Sequence, residues 1–245
     1  MGCSFSQWDK VEGGSNASLV ELKGLSKLTT LEIDVPDPEI LPQDLVSVEL
    51  QRYQICIGKV QRNGLVSFAT SRASASIVIT ELEKLTSETS RSMKLQELEN
   101  VSILLENYGM KMLLKRTEDL RLVTLNGVPS VVHELDDGEG FPQLEHLLVA
   151  GCPEILHIVG SIGRARCKVF PLLETLYLIG LTNLETICYS QLREDQSFSN
   201  LRIIKVFFCD KLKHLFSFFM AKNLLRLQKV KVEDCDDLKM IIGKY

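Results

Sequence analysis

From residue 141 onward, apolar residues fall at one fixed set of positions, and the set recurs four times. The copies are Phe141-x-x-Leu144-x-x-Leu147-x-Val149-x-x-Cys152, Phe170-x-x-Leu173-x-x-Leu176-x-Leu178-x-x-Leu181, Phe198-x-x-Leu201-x-x-Ile204-x-Val206-x-x-Cys209 and Leu224-x-x-Leu227-x-x-Val230-x-Val232-x-x-Cys235. Each copy holds one short alternating segment, which predicts a strand. Side chains alternate across a strand, so Leu147 and Val149 share the inner face and Leu148 takes the outer one. A single copy has one apolar strip and nothing to bury it against. Stacking the copies in parallel joins the strips into a continuous core.

A period of this length with this spacing is the mark of a leucine-rich repeat array. The predicted fold is an α/β leucine-rich repeat solenoid, with a curved parallel sheet on the concave face and short helices and irregular segments on the convex face. Past each strand, Cys152, Cys209 and Cys235 occupy a position where a small polar side chain can turn inward. There it can satisfy backbone groups left free as the chain leaves the strand. Leu181 cannot do this. The pattern then continues through Ile155 and Ile158, Leu184 and Ile187, Leu212 and Leu215, and Leu238 and Ile241, which line the return segment.

The first half is less regular. Leu25-x-x-Leu28-x-x-Leu31-x-Ile33 is one unit, and Leu50-x-x-Tyr53-x-Ile55-x-Ile57 is a second. Ile77-Val78-Ile79 and Met93-Lys94-Leu95 are weaker strand candidates, separated by a polar loop from Thr86 to Ser92. Leu104 to Arg116 predicts one helix, with Leu104, Leu105, Met112 and Leu113 as its apolar side. It leads into Leu114-x-x-Thr117-x-x-Leu120-x-Leu122-x-x-Leu125. The expected organisation is an N-terminal segment over 1–18, either poorly ordered or left from an upstream repeat. An array over 19–245 follows, irregular at 58–113 and regular from 114.

The chain has 245 residues and no apolar run long enough to span a membrane. Nothing at its start reads as a secretory signal. Seven cysteines, an odd number with several at core positions, favour free thiols in a reducing compartment. The expected location is therefore cytoplasmic. Charge is uneven: from Phe198 onward 10 Lys and Arg face 5 Asp and Glu, whereas the remainder is acidic. Such an asymmetry suits a solvated surface, or docking against a domain of opposite charge.

Taken together, several segments are specific enough to mark a resemblance. They include Leu19-Val-Glu-Leu-Lys-Gly-Leu-Ser-Lys-Leu-Thr-Thr-Leu-Glu-Ile33, Phe141-Pro-Gln-Leu-Glu-His-Leu147 with Gly151-Cys-Pro-Glu-Ile155, Cys209-Asp-Lys-Leu-Lys-His-Leu-Phe216 and Cys235-Asp-Asp-Leu-Lys-Met-Ile241. Over nearly its whole length the chain resembles the leucine-rich repeat region of plant coiled-coil, nucleotide-binding, leucine-rich-repeat disease-resistance proteins. The resemblance implies a protein-recognition module of plant innate immunity. Such a module senses a pathogen effector or a modified host protein, and in a full receptor it restrains the nucleotide switch. A stand-alone interaction scaffold, or a truncated receptor product without independent activity, is the alternative. The sequence has no Gly-x-x-x-x-Gly-Lys-Ser/Thr cradle for a nucleotide phosphate, so the implied role is that of the sensing part alone. The last unit stops soon after its return segment, without a polar capping repeat.

Catalysis is not the expected work. His133, His146, His157 and His214 lack metal-ligand spacing, no Cys-x-x-Cys occurs, and no nucleophile elbow is present. No cofactor, metal or nucleic-acid partner is expected. The expected partners are proteins: an effector, a guarded host protein or the receptor's own nucleotide-binding domain. The candidate binding surface is the concave face, carried by His146, Leu148, Tyr177, Ile179, Lys205, Phe207, Phe208, Lys229 and Lys231. Tyr177, Ile179, Phe207 and Phe208 would form one exposed patch there, because contiguous exposed aromatics mark binding sites. The alternatives place Phe207 or Phe208 in the core through a register shift, or set the patch against a missing domain. Finally, Met1-Gly2-Cys3-Ser4-Phe5-Ser6 fits the myristoylation pattern at Gly2 with an adjacent palmitoylation candidate, Cys3. Two acyl chains anchor stably where one does not. Peripheral attachment to the plasma membrane is therefore the alternative location, conditional on that modification.

Overall fold

The structure is a computed structural model that describes residues 17–42, 50–59, 89–136, 140–160, 168–189 and 197–243. The sequence pattern reappears as a ladder. Eight strands pair in parallel: β1 (Thr30–Val35), β2 (Arg52–Ile57), β3 (Arg91–Gln96), β4 (Asp119–Val123), β5 (His146–Ala150), β7 (Thr175–Ile179), β9 (Ile203–Phe207) and β11 (Lys229–Glu233). On the return side of the last four repeats lie β6 (His157–Val159), β8 (Thr186–Cys188), β10 (His214–Phe216) and β12 (Met240–Ile242), which pair β6 with β8 and β10 with β12. This is the expected α/β solenoid.

Register is constant. Leu147 pairs with Leu176, Leu176 with Ile204, and Ile204 with Val230; Val149, Leu178, Val206 and Val232 form the parallel column. A one-residue slip would turn every inner side chain outward, so burial of the strip fixes the pairing. Ile155, Ile158, Leu184, Ile187, Leu212 and Leu215 close the core from the return side, all nearly inaccessible. Leu238 is only partly buried and Ile241 is exposed, since the last described repeat has a neighbour on one side alone.

Phe141, Phe170 and Phe198 begin three repeats and form a ladder of rings, the first pair stacked with centroids 5.7 Å apart and the second tilted at 5.4 Å. All three hold positive φ, at 51, 51 and 58°. That region costs an L-residue about 1–2 kcal/mol. Ring stacking in a dry core offsets it, because aromatic pairs add about 0.5–1.5 kcal/mol beyond their burial. Just before the first ring, Gly140 sits at φ +75°, where an added Cβ would lie 2.3 Å from the Lys168 carbonyl oxygen. The Gly140 carbonyl in turn accepts the Phe170 amide at 2.7 Å.

The cysteine position behaves as its chemistry suggested. The Leu125 amide donates to Cys152 Sγ at 3.3 Å, and that thiol donates to the Ala150 carbonyl at 3.4 Å. Cys209 and Cys235 repeat the second contact, to the Phe207 and Glu233 carbonyls at 3.5 and 3.4 Å. All five described cysteines are free thiols.

The first half departs from expectation in particular places. The helix expected over 104–116 is two helices, α1 (Ser102–Glu106) and α2 (Tyr108–Arg116). Asn107 breaks it in extended conformation. Its side chain accepts the Met110 amide at 3.2 Å, and it donates to the Leu41 and Pro42 carbonyls at 3.3 and 3.2 Å. The break turns Met110, Leu113 and Leu114 inward rather than Met112. Strand β3 begins at Arg91, so the polar loop expected through Ser92 ends earlier. This strand contains the weaker candidate Met93-Lys94-Leu95. Glu118 explains its position: the carboxylate accepts the Ser90 and Arg91 amides at 2.9 and 3.2 Å and pairs with the Arg91 guanidinium. Ile77-Val78-Ile79 and nearly all of the expected 1–18 segment lie outside the described residues.

Tyr53 ties β2 to α2. Its hydroxyl donates to the Leu113 carbonyl at 2.7 Å, beside Thr117 Oγ1 at 3.1 Å. Burial pushes the phenol from 10.0 up to about 12, and the Cys152 thiol from 9.0 up to about 11. Both groups are neutral when protonated, and the folded state holds their protons to higher pH. Their contribution is complete below pH 9.0 and is lost as pH rises through the folded values. The urea midpoint is therefore expected to fall on raising pH from about 8.5 to about 10.5, and to fall less in Cys152→Ala over the same window. An equal fall in both proteins would remove Cys152 from the account.

Candidate concave-face binding surface

Parallel, in-register strands place side chains in columns, so the outer face of the sheet follows from the pairing. One outer column runs Glu32, Gln54, Ser92, Asp119, His146, Thr175, Ile203 and Lys229. The next runs Asp34, Cys56, Lys94, Arg121, Leu148, Tyr177, Lys205 and Lys231. The third, in the last five strands, is Val123, Ala150, Ile179, Phe207 and Glu233.

Leu148, Tyr177, Ile179, Lys205 and Phe207 thus stand on the expected face, away from the main core. Their expected exposure is corrected: Tyr177 is 7% exposed, Ile179 and Phe207 1% each, Leu148 5%, Lys205 6% and Phe208 8%. With Val123 and Ala150 the apolar members form a second hydrophobic cluster, separate from the first. Outer side chains of adjacent strands stand about 4.8 Å apart, so large apolar groups there pack on one another and shed water. The lysines complete the cover. Lys205 Nζ lies 4.9 Å from the Tyr177 ring centroid and Lys231 Nζ 5.1 Å from that of Phe207. Phe208 is not a strand residue; it follows β9 at φ +56° and packs against the cluster's edge. No register shift is involved, since Phe207 and Phe208 join this second cluster and not the main core.

The accessible candidates lie beside the cluster. His146 is half-buried, with Nδ1 2.8 Å from Thr175 Oγ1. Lys229 is exposed, and Lys231 is half-buried with its ammonium 3.2 Å from Glu233. The sequence reading missed Gln54, Ser92, Lys94 and Arg121, which the same columns carry onward. The signal was available, since each follows from one pairing offset once β3 is recognised. Arg121 is held by Asp119 at 2.8 Å. Along the face, charge passes from Glu32 and Asp34 at one end to Lys229 and Lys231 at the other.

Among the described residues no group of three or more His, Cys, Asp or Glu is arranged to hold a metal ion. No described helix is long and apolar enough to cross a membrane. Gly2 and Cys3 lie outside the described residues. Residues 130–236 match the family described as plant disease resistance protein RPS2-like, leucine-rich repeats. No curated protein and no solved structure matches the chain. Over those residues the chain is similar to the leucine-rich repeats of plant disease-resistance proteins, a kind of module with a protein-recognition role, and the eight-stranded parallel sheet carries the same solenoid architecture beyond them.

Proposed function

We propose that this repeat region, as part of a plant disease-resistance receptor, senses a pathogen effector or a modified host protein and restrains the receptor's nucleotide switch until it does. The observation that supports this reading is the layered outer face. A buried apolar floor, Leu148 to Phe208, is flanked by accessible polar residues with a charge gradient from Glu32 to Lys229. A rigid floor fixes the polar groups at low entropic cost, which is what selective recognition needs. Restraint of a switch further requires that the face bind its two states unequally. The protein acts by binding, with His146, Thr175, Lys229 and Lys231 as contacts, and works inside the cell.

Lysine-directed crosslinking of the chain expressed in leaf tissue tests the reading. Crosslinks from Lys229 and Lys231 to another protein are expected, and Lys229→Glu with His146→Ala should remove them. Crosslinks confined to return-side lysines such as Lys211 and Lys213 would overturn the assignment of the concave face.

A further inference from the structure

The sequence holds two Asn-Gly pairs, Asn63-Gly64 and Asn126-Gly127, and the second lies in the turn that leaves β4. Asparagine is a thermolabile residue, because the backbone nitrogen of the next residue can attack its side-chain amide. Glycine in second place leaves that nitrogen open, having no side chain to crowd it. Here Gly127 is exposed at φ +76°, and a Cβ added to it would meet nothing within 4 Å. Asn126 is half-buried. Crowding therefore does little to protect the pair, and hydrogen bonds do more. The Asn126 amide donates to the Leu98 carbonyl at 3.1 Å, and the Gly127 amide donates to Glu154 Oε2 at 2.8 Å. Leu98 belongs to the preceding repeat. Glu154 belongs to the following one, at the place that Gly127 holds in its own. The nitrogen that would attack Asn126 is thus the one whose proton the Glu154 carboxylate holds.

We propose that Asn126 is a site of spontaneous deamidation and isoaspartate formation, held slow in the folded chain by Glu154. In the first step the Gly127 nitrogen bonds to Asn126 Cγ and its proton passes to solvent. The Asn126 amide nitrogen takes up a proton and leaves as ammonia, which closes a cyclic imide. Water then opens the ring at either carbonyl, giving aspartate or isoaspartate. The sum is one water consumed and one ammonia released, with no change of oxidation state. Attack requires the Gly127 nitrogen to shed its proton and turn toward Cγ. Both movements break the bond to Glu154, so that bond raises the barrier. The product bears on the joint between repeats. Isoaspartate lengthens the main chain by a methylene group, and either product adds a carboxylate to a turn that already meets Glu154. Two residues on, the Pro129 carbonyl accepts the Leu156 and His157 amides at 3.0 and 3.3 Å, which fastens this turn to the next return segment. The inference is independent of the concave-face assignment.

The test incubates the full chain in warm, mildly alkaline buffer and follows conversion at Asn126 by mass spectrometry of its proteolytic peptide. The same digest reports Asn63, whose rate serves as the reference in every variant. Glu154→Ala is expected to speed conversion at Asn126 on the order of fivefold, the worth of one net hydrogen bond. Glu154→Gln keeps an acceptor oxygen and should stay close to the parent rate. The parent unfolded in guanidinium chloride should convert faster than any folded form, and Asn126→Ser should show no mass gain in that peptide. Circular dichroism establishes that each variant is folded. A folded parent that converts as fast as the unfolded chain would overturn the proposal. So would a folded Glu154→Ala chain no faster than the parent, or a Glu154→Gln chain as fast as Glu154→Ala.

Discussion

Phe170→Ala is expected to lower unfolding free energy by about 3–5 kcal/mol, the range for emptying a buried aromatic site. Phe170 is the middle ring of the ladder, so its loss takes away both ring contacts, the stacked one at 5.7 Å to Phe141 and the tilted one at 5.4 Å to Phe198. It is fully buried, and the flanking repeats are stapled by the Gly140 carbonyl and the Phe170 amide, which leaves little room for collapse. Stability in a repeat array depends on each unit and its interfaces with neighbours, so the cost falls on repeats either side. Urea denaturation measures it. Phe170→Gly provides the internal control. Glycine in an ordinary site is worse than alanine, but at φ +51° it escapes the left-handed penalty. The glycine variant is thus expected to be as stable as the alanine variant or more so. A glycine variant well below alanine would contradict the role assigned to the backbone here.

Phe207→Ser is expected to cost about 3–5 kcal/mol as well, through a cavity and a hydroxyl buried without a built-in partner. Phe207 is 1% exposed within the second cluster, and Lys231 lies over its ring. Tyr177→Ser should follow in the same direction, since it opens the neighbouring column and removes the ring under Lys205. His146→Ala and Lys229→Ala, at accessible positions on the same face, should shift stability by no more than about 0.5 kcal/mol. Differential scanning calorimetry of the four variants separates floor from rim. A Phe207→Ser variant as stable as the parent would return the aromatics to the surface and void the cluster as a folding unit.

The contrast between these two sets shows what the sequence could disclose. The strands β5, β7, β9 and β11 were legible because each carries the same inner pair between the same flanking positions. Which side Tyr177 or Phe207 faces was legible too, since alternation settles it. How deeply they lie was not, because alternation carries direction and says nothing of how tightly one column packs on the next. The break at Asn107 was hidden by an apolar pattern that runs unbroken from Leu104 to Leu114. Its cue was chemical: an asparagine three residues before Met110, able to cap a new helix. Strand β3 gave a weak signal because Arg91 and Ser92 are polar. The Glu118 carboxylate that secures the strand's start, at Ser90 and Arg91, lies a full repeat away in sequence.

Constant register has a consequence for how such a surface can change. Leu176 meets both Leu147 and Ile204, and Phe170 meets both Phe141 and Phe198. The inner half of each repeat is thus interchangeable with that of its neighbours. Excising residues 170–197 would set Phe141 against Phe198 and Leu147 against Ile204, joints of the same chemistry as those removed. The outer columns would not be conserved: Leu148 would meet Lys205, and His146 would meet Ile203. Unequal exchange between repeats can therefore rewrite the outer face in whole rows while the scaffold beneath keeps its joints.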